Sequence, residues 1–166
     1  MKYTWLLLFT FPLLALQCEE ETPLAPIDQL PPETRTGEYT FGCLVNGEAF
    51  VPESTRDITA IYQGGLLQMG FDAQLRSGKE GIAINLKEQI ILENSYILDT
   101  IWSKGIQYIG STCIYEYEDL VEGTVTITRF DDVNFIISGT FAFTTATKDC
   151  DTIRVTDGRF DIPYIP

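Results

Sequence analysis

Apolar and polar residues alternate with a period of two along most of this chain, and this pattern limits its fold more than any other feature. The clearest run has apolar side chains at Leu67, Met69, Phe71 and Ala73, each followed by a polar residue or a glycine. Strict alternation predicts strands with one buried face. Many short strands separated by Gly, Asn and Asp predict an all-β fold, a single antiparallel β-sandwich or flattened barrel of about ten strands.

Asn46-Gly47 stands between two extended runs and predicts a hairpin, because both central positions of a type I′ turn need a positive φ. In that register Val45 faces Glu48, and Cys43 faces Phe50. Further connections are predicted as a turn at Gly64-Gly65, a loop from Arg76 to Gly81 and a turn at Asn94-Ser95.

The last strand, Thr152 to Ile162, changes parity along its length. Ile153 and Val155 occupy odd-numbered positions, whereas Phe160 and Ile162 occupy even-numbered positions. Both pairs can face the core only if one extra residue is accommodated between them. We therefore predict a β-bulge at Asp157-Gly158, with the glycine in the left-handed region.

The N-terminus has the features of a signal peptide over residues 1–17. Lys2 precedes an apolar run from Tyr3 to Leu16, which is too short to span a bilayer as a helix. Ala15-Leu16-Gln17-Cys18 resembles the lipoprotein processing box, so Cys18 is predicted to become the first residue and to carry acyl chains such as palmitate. The alternative is an ordinary secretory leader.

Glu19, Glu20 and Glu21 resemble the acidic export signal of Bacteroidetes lipoproteins, which predicts a lipid-anchored outer-membrane protein exposed at the cell surface. The alternative is a solvated tether. Residues 22–36 contain four prolines and no apolar periodicity, which predicts an extended spacer. The predicted organisation is therefore a signal peptide over 1–17, a tether over 18–36 and an all-β domain over 37–166.

The composition excludes several functions. The chain has a net charge of −13 and no histidine. The acidic surface argues against nucleic-acid binding, and the absence of histidine excludes Ser-His-Asp and Cys-His catalysis. The charge fits either a solvated surface or divalent-cation binding, but no calcium-loop spacing is present. No metal site and no cofactor are predicted.

After lipidation of Cys18, three cysteines remain. Cys43 alternates with apolar neighbours and is expected to pack in the core. Cys113 and Cys150 are then a possible disulfide, although a simple meander would place them at opposite ends of neighbouring strands. Three free thiols are the alternative.

Clustered aromatic residues allow a second interpretation of the middle of the chain. These residues, Tyr96, Trp102, Tyr108, Tyr115 and Tyr117, either stack on sugars or fill the core. Asp99-Thr100-Ile101 and Asp151-Thr152-Ile153 resemble the Bacteroidetes O-glycosylation pattern, which makes Thr100 and Thr152 possible acceptors. Carboxylates are frequent in the predicted turns, where solvation explains most of them.

Three segments, at residues 36–52, 124–145 and 151–162, resemble an uncharacterised family of Bacteroidetes exported lipoproteins. They carry the motifs TFGC-x-VNG, SGTF-x-F and DGRFD. The resemblance implies an exported all-β lipoprotein and no established activity. It assigns no catalytic or ligand residues.

We therefore expect a non-enzymatic cell-envelope lipoprotein that binds an unidentified protein or ligand through its loops or one sheet face. It would contact the membrane through the lipid on Cys18. A glycan-binding accessory lipoprotein is the first alternative, and an exposed planar strip of aromatic rings would favour it. A hydrolase that relies on carboxylates alone is the second alternative.

Overall fold

The computed structural model describes residues 23–88, 90 and 94–166, and this part of the chain forms eleven strands and four short 3-10 turns without an α-helix. The strands are β1 (Thr40–Val45), β2 (Glu48–Phe50), β3 (Ile58–Gln63), β4 (Leu66–Leu75), β5 (Gly78–Leu86), β6 (Asn94–Ile97), β7 (Ile106–Ile109), β8 (Ile114–Tyr115), β9 (Leu120–Asp131), β10 (Ile136–Thr145) and β11 (Ile153–Pro163). The 3-10 turns are Pro26–Gln29, Thr55–Asp57, Trp102–Lys104 and Tyr117–Asp119. Over the described residues, none of these elements could cross a membrane as a helix.

The strands form two antiparallel sheets that pack face to face. Sheet 1 has six strands in the order β2-β1-β11-β10-β9-β6, and sheet 2 has five in the order β3-β4-β5-β7-β8. Alternate apolar side chains from both sheets form one core. At its centre the ring of Phe41 stacks on that of Phe71, with 3.6 Å between ring centroids. The predicted all-β sandwich is confirmed.

The β1–β2 hairpin has the predicted register. Val45 is opposite Glu48 and Cys43 is opposite Phe50, while Asn46 and Gly47 have φ angles of 49° and 84°. The Asn46 side chain also joins the hairpin to sheet 1, because its Oδ1 accepts a hydrogen bond of 2.8 Å from the N–H of Arg154.

Two predicted connections are wrong. Leu75 pairs with Gly78, so the connection after β4 is the two-residue turn Arg76-Ser77, and the predicted loop to Gly81 is already strand β5. Asn94-Ser95 is not a turn but the first half of β6, where Ser95 lies opposite Thr126 at the sheet edge. Polar residues are tolerated there because their side chains face solvent. The hydroxyls of Ser95 and Thr126 are 2.7 Å apart, which is a hydrogen-bond distance.

The predicted bulge is present in β11, but its backbone strain lies one residue earlier than predicted. Gly42 is opposite Arg159 and Leu44 is opposite Thr156, so β11 advances three residues while β1 advances two. Asp157, with φ of 54°, is the residue in the left-handed region. Aspartate adopts this conformation more readily than most residues other than glycine.

Gly158 is required for close packing and not for its φ angle. A Cβ atom at this position would lie 2.5 Å from the carbonyl oxygen of Phe141 and 2.6 Å from two carbons of its ring. With the bulge in place, both Val155 and Phe160 are buried in the core.

A buried carboxylate fixes the N-terminal segment on the outer face of sheet 1. Asp161, on β11, accepts hydrogen bonds from the backbone N–H groups of Thr36, Gly37 and Glu38 at 2.8, 2.9 and 3.2 Å. The hydroxyl of Ser138 donates a fourth, at 2.6 Å. The charge is thus solvated by protein donors, which makes its burial possible.

The proline-rich segment differs from the extended spacer predicted up to Thr36. Pro26–Gln29 is a 3-10 turn, and Leu30 is buried. Pro31 lies directly over β1, since a Cβ at Gly42 would be 2.6 Å from its ring. This packing had no local signal, because the glycine that accommodates the proline is distant in sequence.

The protonation state of Asp161 is expected to affect stability at low pH. Burial alone would raise the pKa of this carboxyl, but the hydrogen bonds from Ser138, Gly37 and Thr36 outweigh it and lower the pKa below its usual value. The resulting stabilisation is complete above the unfolded pKa of about 3.9 and is lost as the pH falls toward the folded pKa.

As the pH falls below about 4, close to the unfolded pKa of the carboxyl, the free energy of unfolding should therefore decrease more for the wild type than for Asp161→Asn. Urea denaturation at several pH values measures both curves. Parallel curves would contradict this role of Asp161.

The chain after β11 pairs with the outer edge of sheet 2. The N–H of Ile165 donates to Ala60 at 2.9 Å, and the N–H of Tyr62 donates to Ile165 at 2.8 Å. Ile61 and Ile165 form a parallel bridge. The free side of β3 is thus occupied by the chain itself.

Candidate functional site

A cavity of about 390 Å³ lies at one end of the sandwich, where four connections between strands meet. It is surrounded by the β1–β2 turn, the β4–β5 turn, the β7–β8 turn and the β10–β11 loop. Its lining includes Glu48, Ser77, Glu80, Tyr108, Ser111, Cys113, Tyr115, Asp149, Cys150 and Asp151. The volume is in the range of sites that bind small molecules or single side chains.

A buried carboxylate, Glu80, forms the inner wall of this cavity. It is 7% exposed and lies on β5 on the same face as Ile82 and Ile84. The Tyr108 hydroxyl donates to one carboxylate oxygen, and the Ser77 hydroxyl donates to the other. Both donors are uncharged, so no cation in the described structure is paired with this buried group.

A disulfide fixes the opposite wall. Cys113, after β7, is bonded to Cys150 in the β10–β11 loop, with 6.3 Å between their Cα atoms. The Tyr115 hydroxyl donates to the carbonyl oxygen of Asp151 at 2.5 Å. The expectation from a simple meander fails because the two cysteines belong to connections of different sheets, which face each other at this end. Cys43 is a free, buried thiol, as predicted.

The cavity is acidic. Glu48, Glu80, Asp149 and Asp151 line it, and its lining contains no lysine or arginine. Burial raises the pKa of the Tyr115 hydroxyl, and the negative charge of Asp151 raises it further. The tyrosine therefore remains a neutral donor, and the potential inside the cavity favours a cation.

The described carboxylates of the cavity lining are not grouped in a way that would hold a metal ion. Across residues 23–88, 90 and 94–166, no three His, Cys, Asp or Glu side chains are placed to hold a metal ion. What the cavity offers is carboxylate oxygens and hydroxyls. Such groups bind an organic cation by ion pairing and hydrogen bonding.

The other predicted site residues are not in the cavity lining or lie outside the described residues, although Asp151 and Ile153, the neighbours of Thr152, do line the cavity. Cys18 and the run Glu19, Glu20 and Glu21 lie outside them. Thr100 is exposed in the loop after β6, with its backbone N–H bonded to the Asp99 carboxylate at 2.7 Å. Thr152 is exposed just before β11.

The clustered aromatic residues mostly belong to the core. Tyr96, Tyr108 and Tyr115 are buried, and Tyr117 is half-buried. Trp102, at 50% exposure, is the exception within this group. These five rings therefore do not form an exposed planar strip.

Sequence reasoning missed Glu80 because the predicted loop from Arg76 to Gly81 contained it. One signal was available. Glu80 has the same parity as Ile82 and Ile84. If the predicted strand is extended by two residues toward the N-terminus, this parity predicts that the Glu80 side chain points inward. A charged residue on an inward face is a useful indicator of a site.

Several motif residues of the resembling segments have structural roles. Asn46 ties the first hairpin to β11, Gly158 makes room for Phe141, and Ser138 and Asp161 bond to each other. These residues explain the fold and are not part of the cavity wall, except for Asn46 at its rim.

Comparison with known proteins identifies one family. A family model described as "Domain of unknown function (DUF6252)" matches residues 54–163, which contain β3 to β11. The β1–β2 hairpin precedes the matched range. No curated protein and no solved structure is significantly similar to the chain.

Proposed function

The chain belongs to this family of domains of unknown function. We propose that it is a non-enzymatic envelope lipoprotein and that it binds a partner at the acidic cavity. In this proposal Cys18 carries the lipid, and Glu19, Glu20 and Glu21 direct the protein to the surface of the outer membrane. The resemblance of three segments to Bacteroidetes lipoproteins supports that location.

The observation that carries the binding function is the construction of the cavity end. Four connections from both sheets meet there, and the Cys113–Cys150 disulfide holds two of them together. Connections on a rigid scaffold are the usual place for binding residues. A preformed site loses less entropy on binding than one that must be ordered.

The chemistry of the lining supports a cationic ligand. Glu80 is buried beside Tyr108, while Glu48, Asp149 and Asp151 surround the opening. A lysine or arginine side chain would provide the positive charge that the lining lacks. A partner of this kind is a protein segment rich in basic residues.

The two alternatives have less support. A glycan-binding module needs exposed aromatic rings in a plane, and the clustered aromatics provide Trp102 alone as a well-exposed ring. A carboxylate hydrolase needs two carboxyl groups at a set separation on either side of the scissile bond, and no described contact joins two of the carboxylates that line the cavity into such a pair.

A tetralysine peptide is a direct probe of this proposal. We expect it to shift the amide resonances of the cavity turns in ¹⁵N NMR spectra. Glu80→Gln should weaken binding about tenfold, which corresponds to ~1.4 kcal/mol. Glu122→Gln, which removes an exposed carboxylate outside the cavity lining, is the matched control.

Equal binding by the two variants, or resonance shifts confined to other surfaces, would overturn the assignment of the cavity. A neutral trisaccharide that shifts resonances around Trp102 would instead favour the glycan-binding alternative.

A further inference from the structure

The N-terminal segment reaches the sandwich at the same end as the cavity. Pro26 and Gln29 lie beside the β1–β2 turn and the β4–β5 turn, and both of these turns also wall the cavity. From Leu30 onward the segment is held against sheet 1 by packing and by the hydrogen bonds to Asp161. The point at which a lipid anchor would pull on the domain is therefore next to the cavity.

The length of the remaining tether limits how the domain can be oriented. Eight residue steps separate Cys18 from Pro26 (26 − 18), and a chain of that length spans at most about 28 Å when fully extended. Strand β4, with 10 residues, runs from the far end of the sandwich to the cavity end and is about 31 Å long. The tether is too short to run along the domain and let its far end rest on the membrane.

We propose that the cavity end faces the membrane across a gap of at most about 28 Å, and that the cavity takes basic side chains of a protein embedded in that membrane. This inference depends on the lipid anchor of the proposed function. It adds the orientation of the domain and the source of the ligand.

The width of the gap favours an embedded partner over a soluble one. A folded domain of about 100 residues has a radius of gyration of ~13 Å, which for a compact sphere means a diameter of about 34 Å, so it is wider than the gap and could not enter it freely. An external loop of an embedded protein already lies inside the gap. Confinement to the same membrane also raises its effective concentration.

The bilayer itself does not fit the cavity. Glu48, Asp149 and Asp151 line it and would be repelled by anionic headgroups. Basic protein side chains have the opposite charge to the cavity lining.

Energy transfer from a label on the domain to the membrane tests the orientation. The full acylated chain is reconstituted in phosphatidylethanolamine–phosphatidylcholine vesicles, which carry no net charge, with an acceptor fluorophore on the headgroups. The donor is attached to Arg76→Cys at the cavity end or to Val133→Cys at the far end, both at exposed positions. Cys43 is buried and Cys113 is bonded to Cys150, so labelling without reductant is confined to the introduced thiol.

We expect energy transfer from Arg76→Cys to exceed that from Val133→Cys by about twofold or more, since the two labels are separated by roughly one strand length. Insertion of a flexible segment of about 20 residues between Thr22 and Pro23 should remove most of this difference. Equal transfer from the two labels of the original chain, or the reverse order, would overturn the orientation.

Flotation with the vesicles separates this result from a failure of the anchor. Wild-type chain should float, and Cys18→Ala should not. If Cys18→Ala floats as well, the anchor is wrongly assigned, and both the proposed function and this inference fail.

The source of the ligand is tested with a synthetic single-span helix that carries four lysines at its external end. The labelled lysine helix should reach half-maximal association with the anchored chain at a surface density about tenfold lower than a helix with four glutamines requires. Glu80→Gln should reduce this preference for the lysine helix. Equal association of both helices, or a preference unchanged by Glu80→Gln, would overturn the embedded partner.

Discussion

Replacing both Cys113 and Cys150 with serine is expected to lower the free energy of unfolding by about 4 kcal/mol. The disulfide closes a loop with a sequence separation of 37 residues, and this closure restricts the unfolded chain. In the folded state the bond joins the β7–β8 turn of sheet 2 to the β10–β11 loop of sheet 1. Its loss therefore also removes a covalent link between the sheets.

Guanidinium denaturation of the oxidised wild type and the double variant measures this difference. Adding a reductant should bring the wild type close to the double variant and leave the double variant unchanged. A difference below about 1 kcal/mol would mean that the unfolded chain is already restricted by other structure.

The second large effect is expected for Phe160→Ala, which should lower the free energy of unfolding by about 3–5 kcal/mol. Phe160 is 2% exposed, and its ring lies over Gly139, where an added Cβ would be 2.7 Å away from the ring. The surrounding backbone is held by β10 and β11, so the cavity left by the ring cannot close easily.

Phe135→Ala is the matched control, because Phe135 is 41% exposed and precedes β10. It should cost well under half as much. Denaturation midpoints at equal m-values give both numbers. Similar costs for the two variants would place Phe160 outside the well-packed core and would remove the reason for the bulge.

The parts of the fold that could be predicted from the sequence are those in which burial follows a local repeat. Leu67, Met69, Phe71 and Ala73 are all buried, because a strand places every second side chain on the same face. The parity change in the last strand likewise predicted the bulge. The positive φ was assigned to Gly158, but it belongs to Asp157. A glycine can be needed for backbone freedom or for close packing, and at Gly158 the reason is close packing.

The cavity and its walls could not be predicted in the same way, because they depend on which sheet each strand joins. The sequence places Cys113 and Cys150 on nearby strands but does not say that these strands lie in different sheets. The hydrogen bond from Thr36 to Asp161 could not be predicted from the local sequence either, since 125 residues separate the two. Composition describes the local backbone of a proline-rich segment and contains no information about its distant partner.

The resembling segments support sheet 1 and also supply part of the cavity lining, because Glu48, Asp151 and Ile153 line the cavity. Ser138, Gly158 and Asp161 belong to the matched range and maintain sheet 1. Glu80 and Tyr108, which form the inner wall of the cavity, also lie in the matched range, although they belong to none of the resembling segments.

The pairing of Ile165 with β3 affects how neighbouring copies of the domain can associate. A sandwich has unpaired strand edges, and each is a template on which another molecule can add a strand. Among the described residues the edge strands β2, β6 and β8 have 3, 4 and 2 residues, whereas β3 has 6. The longest edge is the one along which Ile165 bonds to Ala60 and Tyr62. This arrangement opposes the growth of sheets from one molecule to the next, and it would matter most at the high local concentration that the proposed membrane anchor would produce.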